Sequence, residues 1–317
     1  MGDQEEIRQD ARATVPDGAL VGVVGAGVMG IGVAQCFAEA GHPVVVTDND
    51  PGALASGPAR LRAGIRTAAL LRRGDRRTAG GATGSRTESL VTWSASLADL
   101  ADALLVVECV REDEDVKASV LRELDRVCRA EAIFASNTSC VPVARLGSFT
   151  GRPDRVIGTH FMNPAPLKEA VEVVRAPRTS ALTLERTRAF LARVGKHALV
   201  VRDAPGFVTN RVLMLMVNEA AAVVGEGTAD AETVDRIFQD CFGHPMGPLR
   251  TADLIGLDTV ADSLEVLRRH TGEDRFRPCP QLARLVAEGS VGRKAGRGFH
   301  EYATPQHLVT RGGPGHD

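Results

Sequence analysis

The sequence predicts an α/β domain built on a mostly parallel sheet, followed by an all-α domain. Three observations carry that prediction. Short β-branched runs alternate with segments of helical periodicity through the N-terminal part of the chain. A glycine-rich turn, Gly25-Ala26-Gly27-Val28-Met29-Gly30, separates the first such run from the first helical segment. After Asp203-Ala204-Pro205-Gly206 the strand pattern stops and helical periodicity takes over.

The elements follow in order. Val21, Val23 and Val24 form the first strand. The helix after the turn carries Val33, Cys36, Phe37 and Ala40 on one face and is stopped by Gly41. Residues 44–47 are the second strand, ending at Asp48, which makes a βαβ beginning. Residues 52–88 have weak helical periodicity broken by the glycine-rich stretch 80–84, and predict a helical excursion with a loop. Strands are predicted at 104–107, 133–136, 156–159, 170–174 and 198–201. A helix over 116–128 places Val116, Val120, Leu124 and Val127 on one face. Such alternation predicts a sheet covered on both faces. Helices at 207–224, 231–241, 251–270 and 280–288 make up the second domain. The expected division is an extension over 1–19, the sheet domain over 20–205, the helical domain over 206–303 and a tail over 304–317.

Composition narrows the class. Of 317 residues 44% are hydrophobic, enough for a core in each domain. The longest apolar-rich stretch, 208–224, is broken by Thr209, Asn210, Arg211, Asn218 and Glu219. It falls short of the roughly 18–20 apolar residues of a membrane span. Residues 1–19 mix acids and bases and resemble neither a secretory nor a mitochondrial leader, so a disordered extension and a cytoplasmic address are expected. Six cysteines (36, 109, 128, 140, 241 and 279) show no C-x-x-C or metal-ligand spacing, which predicts reduced thiols and no metal site. A net charge of −2 argues against nucleic-acid binding. Among 38 basic residues only Lys117, Lys168, Lys196 and Lys294 are lysine, which singles out each of them.

The glycine turn follows a strand, opens a helix, and is followed by an acid at the end of the next strand. That context makes it a dinucleotide-binding fingerprint of the Rossmann type. Gly25 permits the turn, Gly27 lets the backbone approach a pyrophosphate, and Gly30 lets helix and strand pack closely. The N–H groups around Val28 and Met29 at the helix start favour phosphate. Asp48 can accept bonds from both ribose hydroxyls and repel a 2′-phosphate, so NAD is expected rather than NADP.

Beyond one strand end lies Ser136-Asn137-Thr138-Ser139, and beyond the next Thr159-His160-Phe161-Met162-Asn163-Pro164. Ligands of doubly wound sheets bind at that edge, so Ser139 and His160 are expected to share a crevice. Oxidising an alcohol requires removal of its proton as hydride leaves, and an imidazole suits that exchange near neutral pH. A carboxylate on the other ring nitrogen, for which Glu172 is the candidate, fixes the tautomer and stabilises the imidazolium. Ser139 and Asn210 can hold the substrate oxygen. Taken singly, a packed histidine, a turn serine and a helix-end asparagine have plainer roles. Beside a dinucleotide fingerprint their combination points to catalysis.

Further blocks extend these motifs: V-V-E at 106–108, V-E at 171–172, D-A-P-G-F-V-T-N-R at 203–211, P-M-G-P at 245–248, D-L-I-G-L-D at 253–258 and G-R-K-A-G-R-G-F at 292–299. With G-A-G-V-M-G, S-N-T-S and H-F-M-N-P, they make the chain resemble the 3-hydroxyacyl-CoA dehydrogenase family over residues 20–302. The resemblance implies an NAD-dependent dehydrogenase of a 3-hydroxyacyl thioester, carried on CoA or an acyl carrier protein. It implies His160 as acid/base, Glu172 as its partner, and Ser139 and Asn210 as substrate-orienting groups. NAD contacts are implied at Asp48, Glu112, Lys117, Ser139, Asn163 and Lys294, and Asn137 belongs to the same turn as Ser139. A helical second domain that forms a homodimer is also implied.

The chain departs from the family around Leu167-Lys168-Glu169-Ala170, where Lys168 suits a short polar acyl group, or a surface loop. The stretch H-F-M-N-P-A-P-L-K, with R-P-C-P at 277–280, also resembles a branch acting in hydroxymalonyl and methoxymalonyl extender-unit synthesis for polyketides. That branch implies oxidation of a glyceryl group on an acyl carrier protein. Arg60, Arg62, Arg66, Arg72, Arg73, Arg76, Arg77 and Arg86 are opposed within 60–86 by Asp75 alone. Such a patch suits CoA phosphates, an acidic carrier protein, or plain solvation. A dehydrogenase of a free hydroxy acid or sugar acid, and a non-catalytic dinucleotide-binding scaffold, stay open as alternatives.

Overall fold

The computed structural model describes residues 15–72 and 84–302. The expected loop over 80–83, Arg73, Arg76 and Arg77, and the expected segments 1–14 and 304–317 lie outside the described residues. The chain divides into two compact units, Met1–Val208 and Thr209–Asp317.

The first unit begins with β1 (Val21–Val24), α1 (Val28–Glu39), β2 (Val44–Thr47), α2 (Pro51–Arg72), α3 (Gly84–Ser89), β3 (Val91–Ser94) and β4 (Leu105–Glu108). It continues with α4 (Glu114–Val127), β5 (Ile133–Ser136), α5 (Val143–Gly147), β6 (Val156–Phe161), β7 (Ala170–Arg175), α6 (Ala181–Arg193) and β8 (His197–Arg202). The eight strands form one sheet in the order β3-β2-β1-β4-β5-β6-β7-β8. Every pairing is parallel except β6 with β7.

Strand period explains the two layers of core. Val23, Val46, Leu105, Val107, Ile133 and Ala135 pack on one face with Phe37 of α1, Leu61 of α2 and Phe190 of α6. Their neighbours Val24, Val106 and Phe134 point the other way, against Leu121 and Leu124 of α4 and Leu146 of α5. Each large side chain buried here contributes about 1.5–3 kcal/mol.

Three differences from the sequence reading have physical causes. Strand β3, Val-Thr-Trp-Ser, lacks an apolar run because it is the partly exposed edge. Its partner β2 supplies the parallel pairing, and Trp93 covers Gly57 of α2, where a Cβ would meet the indole at 2.3 Å. The sheet is not covered on both faces throughout, since Leu199 and Val200 of β8 are exposed. Finally, β7 turns back antiparallel to β6, which places residues 160 and 172 side by side.

The second unit is all helical: α7 (Thr209–Gly225), α8 (Ala231–Phe242), α9 (Pro248–Ile255), α10 (Leu257–Thr271) and α11 (Pro280–Ala287). Met214, Val217, Leu249, Leu264, Leu267, Phe276 and Leu282 form its core. The single helix expected over 251–270 is two, because Gly256 at φ 105° ends α9 and starts α10. Buried Asp253 accepts bonds from Phe299 N, His300 N and the Tyr302 hydroxyl, tying down residues 299–302. Among the described residues no helix is long and apolar enough to cross a membrane.

Candidate functional site

The glycine turn joins β1 to α1, and each glycine has a distinct reason. Gly25 has φ 104°, and a Cβ there would lie 2.7 Å from the Cys109 carbonyl oxygen. At Gly30 a Cβ would fall 1.8 Å from the Gly25 carbonyl oxygen. At Gly27 a Cβ would meet nothing within 4 Å, so that face of the turn is open for a ligand to approach the backbone. Gly27 is also the N-cap of α1 and gives it no side-chain cap, while Val28 is exposed and Met29 is partly buried against the core. Asp48, at the end of β2, accepts from Ala26 N at 2.6 Å and Asp50 N at 2.9 Å. Its carboxylate is thereby fixed beside the turn, and the arrangement fits a dinucleotide.

At the same sheet edge, β6 and β7 pair His160 with Glu172. His160 Nδ1 lies 3.0 Å from Glu172 Oε2, and Nε2 lies 3.1 Å from Ser139 Oγ. Both His160 and Glu172 are 6% exposed. The other Glu172 oxygen accepts from Val208 N at 2.8 Å, which pins the carboxylate. Phe207, at φ 53°, packs in a T-shaped arrangement with the imidazole at 6.0 Å between centroids. A bulky residue is strained at positive φ and is held there by its surroundings. An imidazole so oriented offers one nitrogen to a carboxylate and the other to a hydroxyl, a geometry suited to proton transfer.

A buried charge network holds the Ser139 turn. Lys117 of α4, an NAD contact on the resemblance, has a fully buried side chain. Its ammonium donates to both Glu108 oxygens at 2.9 and 3.0 Å and lies 3.2 Å from Glu112. Glu108 also accepts from Ser136 Oγ at 2.5 Å. Glu112 Oε1 accepts from Thr138 Oγ1 at 2.5 Å, Ser139 N and Cys140 N at 2.8 Å, and Val141 N at 3.3 Å. Burial alone would raise the Glu112 pKa, but Lys117 and these donors outweigh it and hold it below its ordinary value. Asn137 Oδ1 accepts from Phe161 N at 2.9 Å, joining the turn to β6.

The remaining expected residues are distributed as follows. Asn163 is exposed just past β6. Asn210 stands in the first turn of α7 and is 9% exposed. Lys294 belongs to the second unit and pairs with both Asp258 oxygens at 2.8 and 2.6 Å. The arginine patch is partly used up by the protein itself. Arg60 donates to the Ala26 carbonyl, Arg62 pairs with Glu88, and Arg72 pairs with Glu39. Arg66 and Arg86 are exposed. Sequence reasoning gave no role to Glu108, Phe207 or Lys196, although the scarcity of lysine had marked the last, and it placed Arg72 in the arginine patch rather than on Glu39 and the Pro166 carbonyl.

Residues 20–204 match the model for the NAD binding domain of 3-hydroxyacyl-CoA dehydrogenase, and residues 206–302 match that for its C-terminal domain. The chain belongs to the 3-hydroxyacyl-CoA dehydrogenase family. NAD is therefore its cofactor, and the family's chemistry is NAD-dependent dehydrogenation. It is 40% identical over 291 residues to a 3-hydroxybutyryl-CoA dehydrogenase of Bradyrhizobium diazoefficiens, covering 92% of this chain and 98% of that protein. It is 36% identical over 284 residues to the mitochondrial hydroxyacyl-coenzyme A dehydrogenase of Sus scrofa, covering 89% of this chain and 90% of that one. The solved structure of (S)-3-hydroxybutyryl-CoA dehydrogenase PaaH1 from Ralstonia eutropha superposes with a TM-score of 0.82 at 37% identity, covering 90% of this chain and 99% of that one. As a member of this family the chain keeps both domains.

Proposed function

We propose that this chain interconverts a 3-hydroxyacyl thioester and the corresponding 3-oxoacyl thioester, with His160 as acid/base and Glu172 as its partner. The observation that carries the reading is the line Ser139 Oγ, His160 Nε2, His160 Nδ1, Glu172 Oε2, with steps of 3.1 and 3.0 Å. NAD, when bound, supplies the hydride acceptor. His160 takes the hydroxyl proton at Nε2 as the C3 hydride leaves. Glu172, with both oxygens engaged, holds Nδ1–H and stabilises the charged ring. Ser139 Oγ, whose backbone N–H is fixed by Glu112, orients the substrate oxygen. Asn210 adds a second polar contact on the reading implied by the family. Gly27, Asp48, Asn163 and Lys294 serve the cofactor, Glu112 and Lys117 shape its surroundings, and the assembly is a homodimer.

The thioester arm has a place in the first unit. A cavity of about 320 Å³ lies between α1, α2 and the 163–167 loop, lined by Ile31, Gly32, Gln35, Gly64 and Leu167, with Arg60 as its cation. That size suits a small-molecule site. A phosphopantetheine arm is slender, weakly polar and ends in phosphate, so it fits the lining. Exposed Arg66, Arg86 and Lys168 suit the anionic groups of either CoA or an acidic carrier protein. NADH oxidation with acetoacetyl-CoA, run beside NAD reduction with a glyceryl-loaded carrier protein and with a free 3-hydroxy acid, tests the reading. Turnover of the CoA ester is expected. Turnover of the free acid alone would overturn the thioester reading, and preference for the loaded carrier would assign the polyketide branch.

A further inference from the structure

The loop from β6 to β7 is poor in its own donors. Pro164 and Pro166 have no N–H, and the turn closes with a bond from Leu167 N to Pro164 O at 3.0 Å. Three of its carbonyls end on cations brought from distant parts of the chain. Lys196, the residue before β8, donates from Nζ to Ala165 O at 2.8 Å and to Lys168 O at 2.5 Å. Arg72, the last residue of α2, donates to Pro166 O at 2.7 Å and pairs with Glu39 at 2.9 Å. Lys196 is 8% exposed, and its hydrogen bonds among the described residues go to carbonyls rather than to a carboxylate. Burial lowers its pKa, so the ammonium stays there at some cost.

What this arrangement holds is one wall of the cavity between α1 and α2. Ala165, Pro166 and Leu167 all line it. Ala165 also abuts α1 closely, since a Cβ at Gly32 would lie 3.3 Å from the Ala165 Cβ. An alanine in place of Lys196 would leave the buried Ala165 carbonyl and the part-buried Lys168 carbonyl without this donor, one in place of Arg72 would do the same to the part-buried Pro166 carbonyl, and the loop would shift to find water.

We propose that Lys196 and Arg72 are positioning residues, a two-cation clamp on the carbonyls of residues 165, 166 and 168 that sets the width of this cavity. The inference rests on the reading above, in which the cavity takes the thioester arm. Neither residue touches the reacting atoms. The clamp acts through the loop, so it governs how well the arm is held rather than how fast the proton moves.

The experiment compares Lys196→Met, Lys196→Arg and Arg72→Met in the full chain. Steady-state kinetics with acetoacetyl-CoA and NADH are paired with amide hydrogen exchange over residues 163–169. In Lys196→Met, KM for acetoacetyl-CoA should rise on the order of tenfold while kcat and KM for NADH change less than about threefold, the signature of lost uniform binding. Exchange of the loop should quicken, and Lys196→Arg should restore most of both. Arg72→Met, at a side chain 36% exposed, should shift both readouts the same way. Unchanged KM and unchanged loop exchange in a folded Lys196→Met would overturn the clamp. Should that variant fail to fold, the same result in Arg72→Met would overturn it. Should the wild type turn over no thioester, the functional reading falls, and loop exchange alone then decides the clamp.

Discussion

His160 and Glu172 stand directly opposite one another in the antiparallel β6–β7 pair, with Nδ1 3.0 Å from Oε2. Directly opposed residues of such a pair share a face, so the backbone itself delivers the carboxylate to the ring. Val208 N holds the second oxygen at 2.8 Å and leaves Glu172 little freedom to turn away.

The pair predicts a specific kinetic pattern. His160→Gln should lower kcat by a factor on the order of 10² to 10⁴, as loss of a general base does, with the Kd for NAD unchanged. Glu172→Gln keeps the shape but loses the charge that supports the imidazolium in the proposed mechanism, and should lower kcat by on the order of 10² or more. The double variant should be little worse than His160→Gln, because the two act as one unit. Steady-state kinetics and NADH fluorescence titration measure these, and full activity in His160→Gln would remove the mechanism.

The glycine turn separates folding from cofactor binding. Gly27→Ala puts a Cβ into open space, so the melting temperature should hold. On the proposed cofactor placement the methyl would stand where the pyrophosphate approaches, and the Kd for NAD should rise at least roughly tenfold, about 1.4 kcal/mol. Gly30→Ala drives a Cβ to within 1.8 Å of the Gly25 carbonyl and should destabilise the domain outright. Calorimetry with NAD titration distinguishes the two. A Gly27→Ala enzyme binding NAD normally would place the phosphates elsewhere.

The Glu108–Lys117–Glu112 network predicts how stability depends on pH. Lys117 would be lowered by burial, but Glu108 and Glu112 reverse that and hold it above its ordinary 10.5. Glu112 is held below its ordinary 4.5. A lowered carboxylate contributes stability that is present above 4.5 and lost as pH falls through its folded value. The raised ammonium contributes below 10.5 and loses its contribution as pH rises through its folded value. Glu112→Gln should cost about 1–3 kcal/mol at neutral pH and flatten the acid limb of the thermal-stability profile. It should also slacken the Ser139 turn and lower kcat. An acid limb of the same slope in the variant would assign that loss to other carboxylates.

Much of this was legible in the sequence because the relevant signals are local. Glycine spacing, an acid at the end of the next strand, and apolar runs of strand length mark the turn, Asp48 and most of the sheet. His160 and Glu172 lie twelve residues apart, close enough for one hairpin to join them. The rest depends on partners far along the chain. Strand β3 is a strand only because β2 lies beside it. Lys117 was marked as an implied NAD contact, but its burial between Glu108 and Glu112 depends on residues that no local pattern joins to it. Arg72 and Lys196 were hidden for a further reason, since they bind carbonyl oxygens, which every residue has and no side-chain pattern reveals.

The reversal of direction between β6 and β7 ties the chemistry to parity. Side chains along a strand alternate between faces, so inserting one residue into β7 ahead of Glu172 would turn its carboxylate to the opposite side and bring a neighbour such as Val171 to the imidazole. A parallel strand entering through a long crossover could slide to compensate, but here the short 162–169 connection allows little slack. Within this hairpin, chain length is therefore held as tightly as residue identity, and single-residue insertions should be more damaging here than in the helices that cover the sheet.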